Sequence, residues 1–166
     1  MGRNVGFNHY HLTYSFYRWY LVARKPKEGV FRTYALARME DVEVLRQAFA
    51  RRKTFQIDDY LKGSFGIITS DALHDVVVDF APSKAALIRE RIWHPSQELE
   101  ELKDGGVRLT MKLSSLDEVA DWILGWREQA RVVSPKVLRQ KIGQAAQAIL
   151  ELYGNSSCTE RCFDAD

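Results

Sequence analysis

Residues 97 to 113 read as two strands around a tight turn, and this hairpin constrains the fold more than any other stretch. Lys103-Asp104-Gly105-Gly106 supplies side chains that tolerate a reversed backbone. Beyond it, Val107, Leu109, Met111 and Leu113 alternate with Arg108, Thr110 and Lys112, giving one apolar and one polar face. Such a strand needs partners beside it and a layer over its apolar side. Its neighbours supply both. His74 to Phe80 is an apolar strand, and Pro82 opens a helix running to Arg91, since proline suits a first turn. Ser115 is placed to cap a helix from Leu116 to Trp126, with Asp117 and Glu118 in its first turn. Glu128 to Val133 reads as another strand. The order β-α-β-β-α-β is a split βαβ, ferredoxin-like plan. A long helix follows Ser134-Pro135, with Leu138, Ile142, Ala145, Ile149 and Leu152 in one stripe.

The N-terminal half has a different grain. Leu12 to Phe16 alternates, Tyr17-Arg18 is a plausible reversal, and Trp19 to Ala23 is rich in aromatic and β-branched residues. Lys25-Pro26-Lys27-Glu28-Gly29 is a turn, and Phe31 to Met39 a third strand, so a three-stranded meander is expected. Val42, Leu45 and Phe49 fall at helical spacing, and Asp58 to Leu61 suggests one further helical turn. The whole is an α+β chain, divided as 1–62, a linker 63–73, a second domain 74–153 and a polar tail 154–166.

Charge divides along the same line. Residues 1–62 hold 12 Lys and Arg against 6 Asp and Glu, a net of +6, while the remainder carries −4. An anionic partner would therefore meet the first part, although a merely solvated basic face fits the same count. No run approaches the ~20 apolar residues of a membrane helix, and no secretory signal opens the chain. The two cysteines, Cys158 and Cys162, both lie in the tail, which fits free thiols in the cytoplasm better than a disulfide framework.

Signatures of catalysis are wanting. Gly63-Ser64-Phe65-Gly66 has the spacing of neither a phosphate loop nor a serine-hydrolase elbow. His9 and His11 would share one strand face but have no third ligand nearby, so neither a metal nor a cofactor is expected. The best constellation is Arg32-Thr33-Tyr34-Ala35-Leu36-Ala37-Arg38. As an unbroken strand it sets Arg32, Tyr34, Leu36 and Arg38 on one face. Forked guanidinium donors beside an aromatic ring suit a phosphate with an attached base. Two arginines lying over a barrel surface is the plainer alternative.

Trp19-Tyr20-Leu21, preceded by Tyr10-His11-Leu12 and Arg18 and followed by Val22-Ala23, resembles the name-giving segment of the WYL domain family. Phe31 to Met39 is similar to that family's Arg-x-aromatic-x-Leu-x-Arg strand. Arg91-Ile92-Trp93-His94-Pro95-Ser96-Gln97 and Trp122-Ile123-Leu124-Gly125-Trp126 resemble its C-terminal companion, the WCX domain. The resemblance implies an Sm-like, SH3-type barrel, here lacking its first strands, ahead of a ferredoxin-like domain. It implies a bacterial transcription regulator, often dimeric, whose barrel senses single-stranded DNA, RNA or a nucleotide. By similarity the ligand-binding candidates are Tyr10, His11, Arg32, Tyr34 and Arg38, with the Trp19-Tyr20-Leu21 triplet more core than pocket. No helix-turn-helix precedes the segment. Two readings therefore stand, an effector-sensing regulatory module and a non-sensing oligomerisation or partner-binding domain that completes its barrel with another chain. An enzyme is not expected.

Overall fold

The computed structural model describes residues 6–70 and 72–154. The chain divides into two units, residues 1–69 and 70–166. Both are built on antiparallel sheets, and the described residues include four α-helices.

In the first unit, β1 (Asn8–Ser15), β2 (Arg18–Arg24) and β3 (Phe31–Ala35) form a meander in that order. The β1–β2 reversal falls on Phe16-Tyr17, one residue before the expected Tyr17-Arg18. Gly29, at φ +71°, closes the β2–β3 turn, where Arg24 donates from Nε to the Gly29 carbonyl at 2.9 Å. The core of this unit is aromatic. Tyr10 is buried against Phe31 at 4.8 Å and Phe55 at 5.0 Å, and Phe31 stacks on Phe55 at 4.6 Å. Residues 51–55 are pinned there because Arg51 donates to the Tyr10 carbonyl at 2.9 Å and lies over its ring. A short helix α1 (Ile57–Tyr60) follows, as Asp58 to Leu61 suggested.

Two expectations fail here. The third strand stops at Ala35 and passes into a 3-10 turn, Leu36–Arg38, so the period-two face does not extend to Arg38. Residues 41–49 are not helical. Val42 and Leu45 are exposed, and without a surface to cover, so short an apolar stripe does not meet the cost of nucleating a helix.

The second unit contains β4 (His74–Phe80), α2 (Pro82–Arg89), β5 (Glu98–Glu101), β6 (Val107–Leu113), α3 (Asp117–Gly125), β7 (Ala130–Ser134) and α4 (Lys136–Gly154). The sheet order is β5-β6-β4-β7, all antiparallel. The β6 alternation holds: Val107, Leu109, Met111 and Leu113 are buried, beside Val76, Val78 and Phe80 of β4. Ile88 of α2, Val119 and Ile123 of α3 and Leu138 of α4 complete the core. Each large side chain so buried contributes about 1.5–3 kcal/mol of transfer free energy.

On the polar face, Glu100, Arg108, Asp79 and Arg131 stand in one row across the four strands. Arg108 grips Asp79 through Nε at 2.7 Å and Nη2 at 3.1 Å, and Arg131 adds a third contact at 3.0 Å. The two tryptophan-bearing segments also meet: Trp93 lies 4.9 Å from Trp122 and 5.8 Å from Trp126, with Phe80 against both Trp122 and Trp126. The α3 cap is displaced by one residue, since Leu116 holds the cap position and Ser115 accepts only from the Asp117 N–H at 3.4 Å. Only Leu138 of the α4 stripe is fully buried; Ile142 and Ala145 are half-buried, and Ile149 and Leu152 are exposed. The cysteines of the tail lie outside the described residues.

Candidate functional site

A cleft of about 530 Å³ opens in the first unit. Its floor is the β2–β3 face carrying Tyr20, Phe31, Thr33 and Ala35, with Arg18 at the start of β2 and Arg38 at the end of the 3-10 turn. Residues 57–69 return across that face and supply Tyr60, Ile67, Ile68 and Thr69. Tyr60 is held in place by helix α1 and by a 3.3 Å contact between its hydroxyl and Thr33 Oγ1.

Three arginines line this cleft, and they differ in electrostatic state. Arg32 lies 3.4 Å from Glu28, whose carboxyl is held below its ordinary range first by the Lys25 hydrogen bond and then by Lys25 and Arg32 charges. Among the described residues Arg18 and Arg38 are in no ion pair. Their forked donors are therefore available to an anion, beside the phenol rings of Tyr20 and Tyr60.

Of the five residues singled out from the sequence, Arg32 and Arg38 come together at the cleft. The other three do not line it. Tyr10 is in the aromatic core, its hydroxyl accepting from the Arg52 N–H at 3.3 Å. His11 pairs with Val22 in the β1–β2 ladder, and a bulge between His9 and His11 breaks the shared face expected of the two histidines. Tyr34 stacks on Phe7 at 5.0 Å, and its buried hydroxyl has no hydrogen-bond partner among the described residues. Trp19, expected to be core, is 53% exposed and packs on Tyr14 at 5.3 Å. Tyr20, expected to be core with the rest of the triplet, lines the cleft instead. Arg18, Tyr20 and Tyr60 escaped the sequence reading; the alternation of β2 sets Arg18 and Tyr20 on one face, but nothing local places Tyr60 opposite them.

Chemistry elsewhere is slight. His94 is buried, and its Nδ1 accepts from the Ser96 N–H at 3.1 Å and contacts Ser96 Oγ at 2.7 Å. Ser96 Oγ in turn accepts from the Lys112 N–H at 2.8 Å, which ties the loop to β6 rather than activating a nucleophile. Among the described residues there is no group of three metal-ligating side chains, and no helix is long and apolar enough to cross a membrane.

Residues 6–44 match the WYL domain, and residues 72–150 match the WCX domain. The chain carries a WYL domain and a WCX domain. Its matched relatives include protein PafC of Mycobacterium tuberculosis, strains CDC 1551 / Oshkosh and H37Rv, each 30% identical over 82 residues. That match takes in 49% of this chain and 25% of each relative, so the chain spans about a quarter of the length of the curated relatives it matches. The proteasome accessory factor B/C (PafBC) of Arthrobacter aurescens aligns over 96% of this chain and 25% of its own, at 18% identity and a TM-score of 0.46. The 6–44 match takes in the whole β1–β3 meander and the turn bearing Arg38, and the 72–150 match spans β4 through most of α4.

Proposed function

We propose that this chain is the effector-sensing regulatory part of a WYL-type bacterial transcription regulator, acting in the cytoplasm without catalysis. Its ligand is a fragment of single-stranded DNA or RNA, a nucleotide, or an anion of similar build, held in the cleft at Arg18, Arg32 and Arg38. The observation that carries this reading is the pair of guanidiniums, Arg18 and Arg38, that line the cleft and among the described residues are in no ion pair. Two phenol rings beside them suit a base attached to the phosphate. Tyr10 and Tyr34 serve the site by packing the sheet that carries it.

In this reading the meander is part of an Sm-like, SH3-type barrel, within a WYL segment of about residues 1–62. The WCX part, 74–153, is a ferredoxin-like domain; the strand order β5-β6-β4-β7 with α2 and α3 as its connections supports that plan. The test is titration of the full chain with fluorescein-labelled oligodeoxythymidylate and with thymidine monophosphate at low salt. Arg38→Ala and Arg18→Ala should each weaken binding about tenfold, the worth of a charge-assisted hydrogen bond. Absence of binding to either probe at low salt overturns the ligand.

A second reading, a homodimerisation module, is favoured by one observation. The apolar stripe that starts in the core at Leu138 continues outward to exposed Ile149 and Leu152. A stable dimer in solution, indifferent to nucleotides and lost on Leu152→Glu, would favour it over the first.

A further inference from the structure

We propose that the tip of the β1–β2 hairpin, Phe16 and Tyr17, is a base-stacking platform for single-stranded nucleic acid whose backbone enters the adjoining cleft. This rests on the cleft reading above and adds to it a ligand longer than one nucleotide.

The tip of this hairpin is strained. Ser15 pairs with Arg18, leaving a two-residue loop, and both loop residues have positive φ, +46° at Phe16 and +62° at Tyr17. A two-residue hairpin with both φ positive is relaxed by Asn-Gly; side chains branching into an aromatic ring are disfavoured there. The chain accepts that cost and leaves the Tyr17 ring almost wholly in solvent. Tyr17 is 92% exposed and Phe16 47% exposed, and among the described residues neither ring contacts another. Strain kept at a solvent-facing position points to use by a ligand rather than to folding.

The occupant follows from what lies next to the tip. Arg18, the residue after Tyr17, already lines the cleft with Tyr20, so the exposed Tyr17 ring of the turn is followed directly by a cation and a ring at the cleft. A single strand of nucleic acid presents that sequence in complement, with phosphates for the arginines and unstacked bases for the rings. The net +6 of residues 1–62 favours this polyanion over an apolar protein surface.

The experiment compares the full chain with the double variant Phe16→Asn/Tyr17→Gly, using oligodeoxythymidylate of about ten nucleotides and thymidine monophosphate. Relief of strain should raise the thermal midpoint by several degrees, while affinity for the oligonucleotide falls roughly tenfold and that for the mononucleotide is unchanged. Tyr17→Phe, which keeps the ring, should retain oligonucleotide affinity. A double variant that binds the oligonucleotide as tightly as the parent overturns the platform. So does a concentration-dependent self-association abolished by the variant with oligonucleotide affinity intact, since the tip would then serve a protein contact. Loss with Arg38→Ala but not with the tip variant sinks the platform alone. Loss with the tip variant but not with Arg38→Ala overturns the cleft reading and, with it, the entry of the backbone into the cleft.

Discussion

Asp79 and His94 are both buried polar groups, and their environments settle their charge in opposite ways. Asp79 is only 7% exposed, yet the Arg108 hydrogen bonds, with Arg131 behind them, hold its carboxyl below the ordinary range. It stays ionised because it is paired, and its contribution is lost only as the pH falls below about 3.8. For His94 the cause of the shift is burial, which lowers its pKa, and its Nδ1 is already occupied as an acceptor. The unfolded chain therefore takes up a proton at this histidine before the folded chain does. Stability is fully present above pH about 6.5 and declines as the pH falls toward the depressed folded value. The urea midpoint should thus fall between pH about 7 and about 5, a window in which Asp79 remains charged. His94→Gln, which cannot titrate, should flatten that slope; an equal slope in parent and variant would remove His94 as its cause.

At the level of elements, the β5–β6 turn separates two demands that adjacent glycines meet. Gly105 has φ +86°, which only a residue without Cβ adopts freely. Gly106 has no such backbone requirement, but a Cβ there would stand 2.4 Å from the Phe80 carbonyl oxygen, a backbone atom of the neighbouring strand that cannot give way easily. Gly105→Ala should cost about 1 kcal/mol, and Gly106→Ala more, about 2–4 kcal/mol, because β4 or β6 must shift. Chemical denaturation ranks the two, and the reverse order would mean that conformation rather than contact governs this turn. The turn and the β6 alternation were legible in the sequence because both are local: a period of two beside a glycine pair has few other solutions. The stretch from Phe31 to Met39 imitates a longer strand for the same reason. Arg32, Tyr34, Leu36 and Arg38 keep the period while the backbone leaves the strand after Ala35. Arg38 still reaches the cleft beside Arg32, by way of a 3-10 turn that residue alternation does not encode. Tyr60 was illegible because it reaches the cleft by the return of residues 57–69, a tertiary event. The α4 stripe was legible as a helix but not as a half-exposed one, since periodicity states which face is apolar and not how much of it is covered.

At the scale of the whole molecule, the charge division has a measurable consequence. The +6 of residues 1–62 and the −4 of the rest mean that a polyanion is drawn to one part of the chain and repelled from the other. If binding rests on Arg18, Arg32 and Arg38, about three phosphate charges are neutralised, and log K should fall with log salt at a slope of roughly −2 for a single strand. Arg18→Ala and Arg38→Ala should each reduce the slope by about 0.7. Arg32→Ala should do less, because Glu28 already shares its charge. Removing an exposed cation of the second unit, as in Arg139→Ala, should leave the slope unchanged. A slope near zero would mean that the ligand is held by its bases or by a neutral group. A slope sensitive to Arg139 would move the binding surface onto α4, where the exposed apolar stripe already invites a partner.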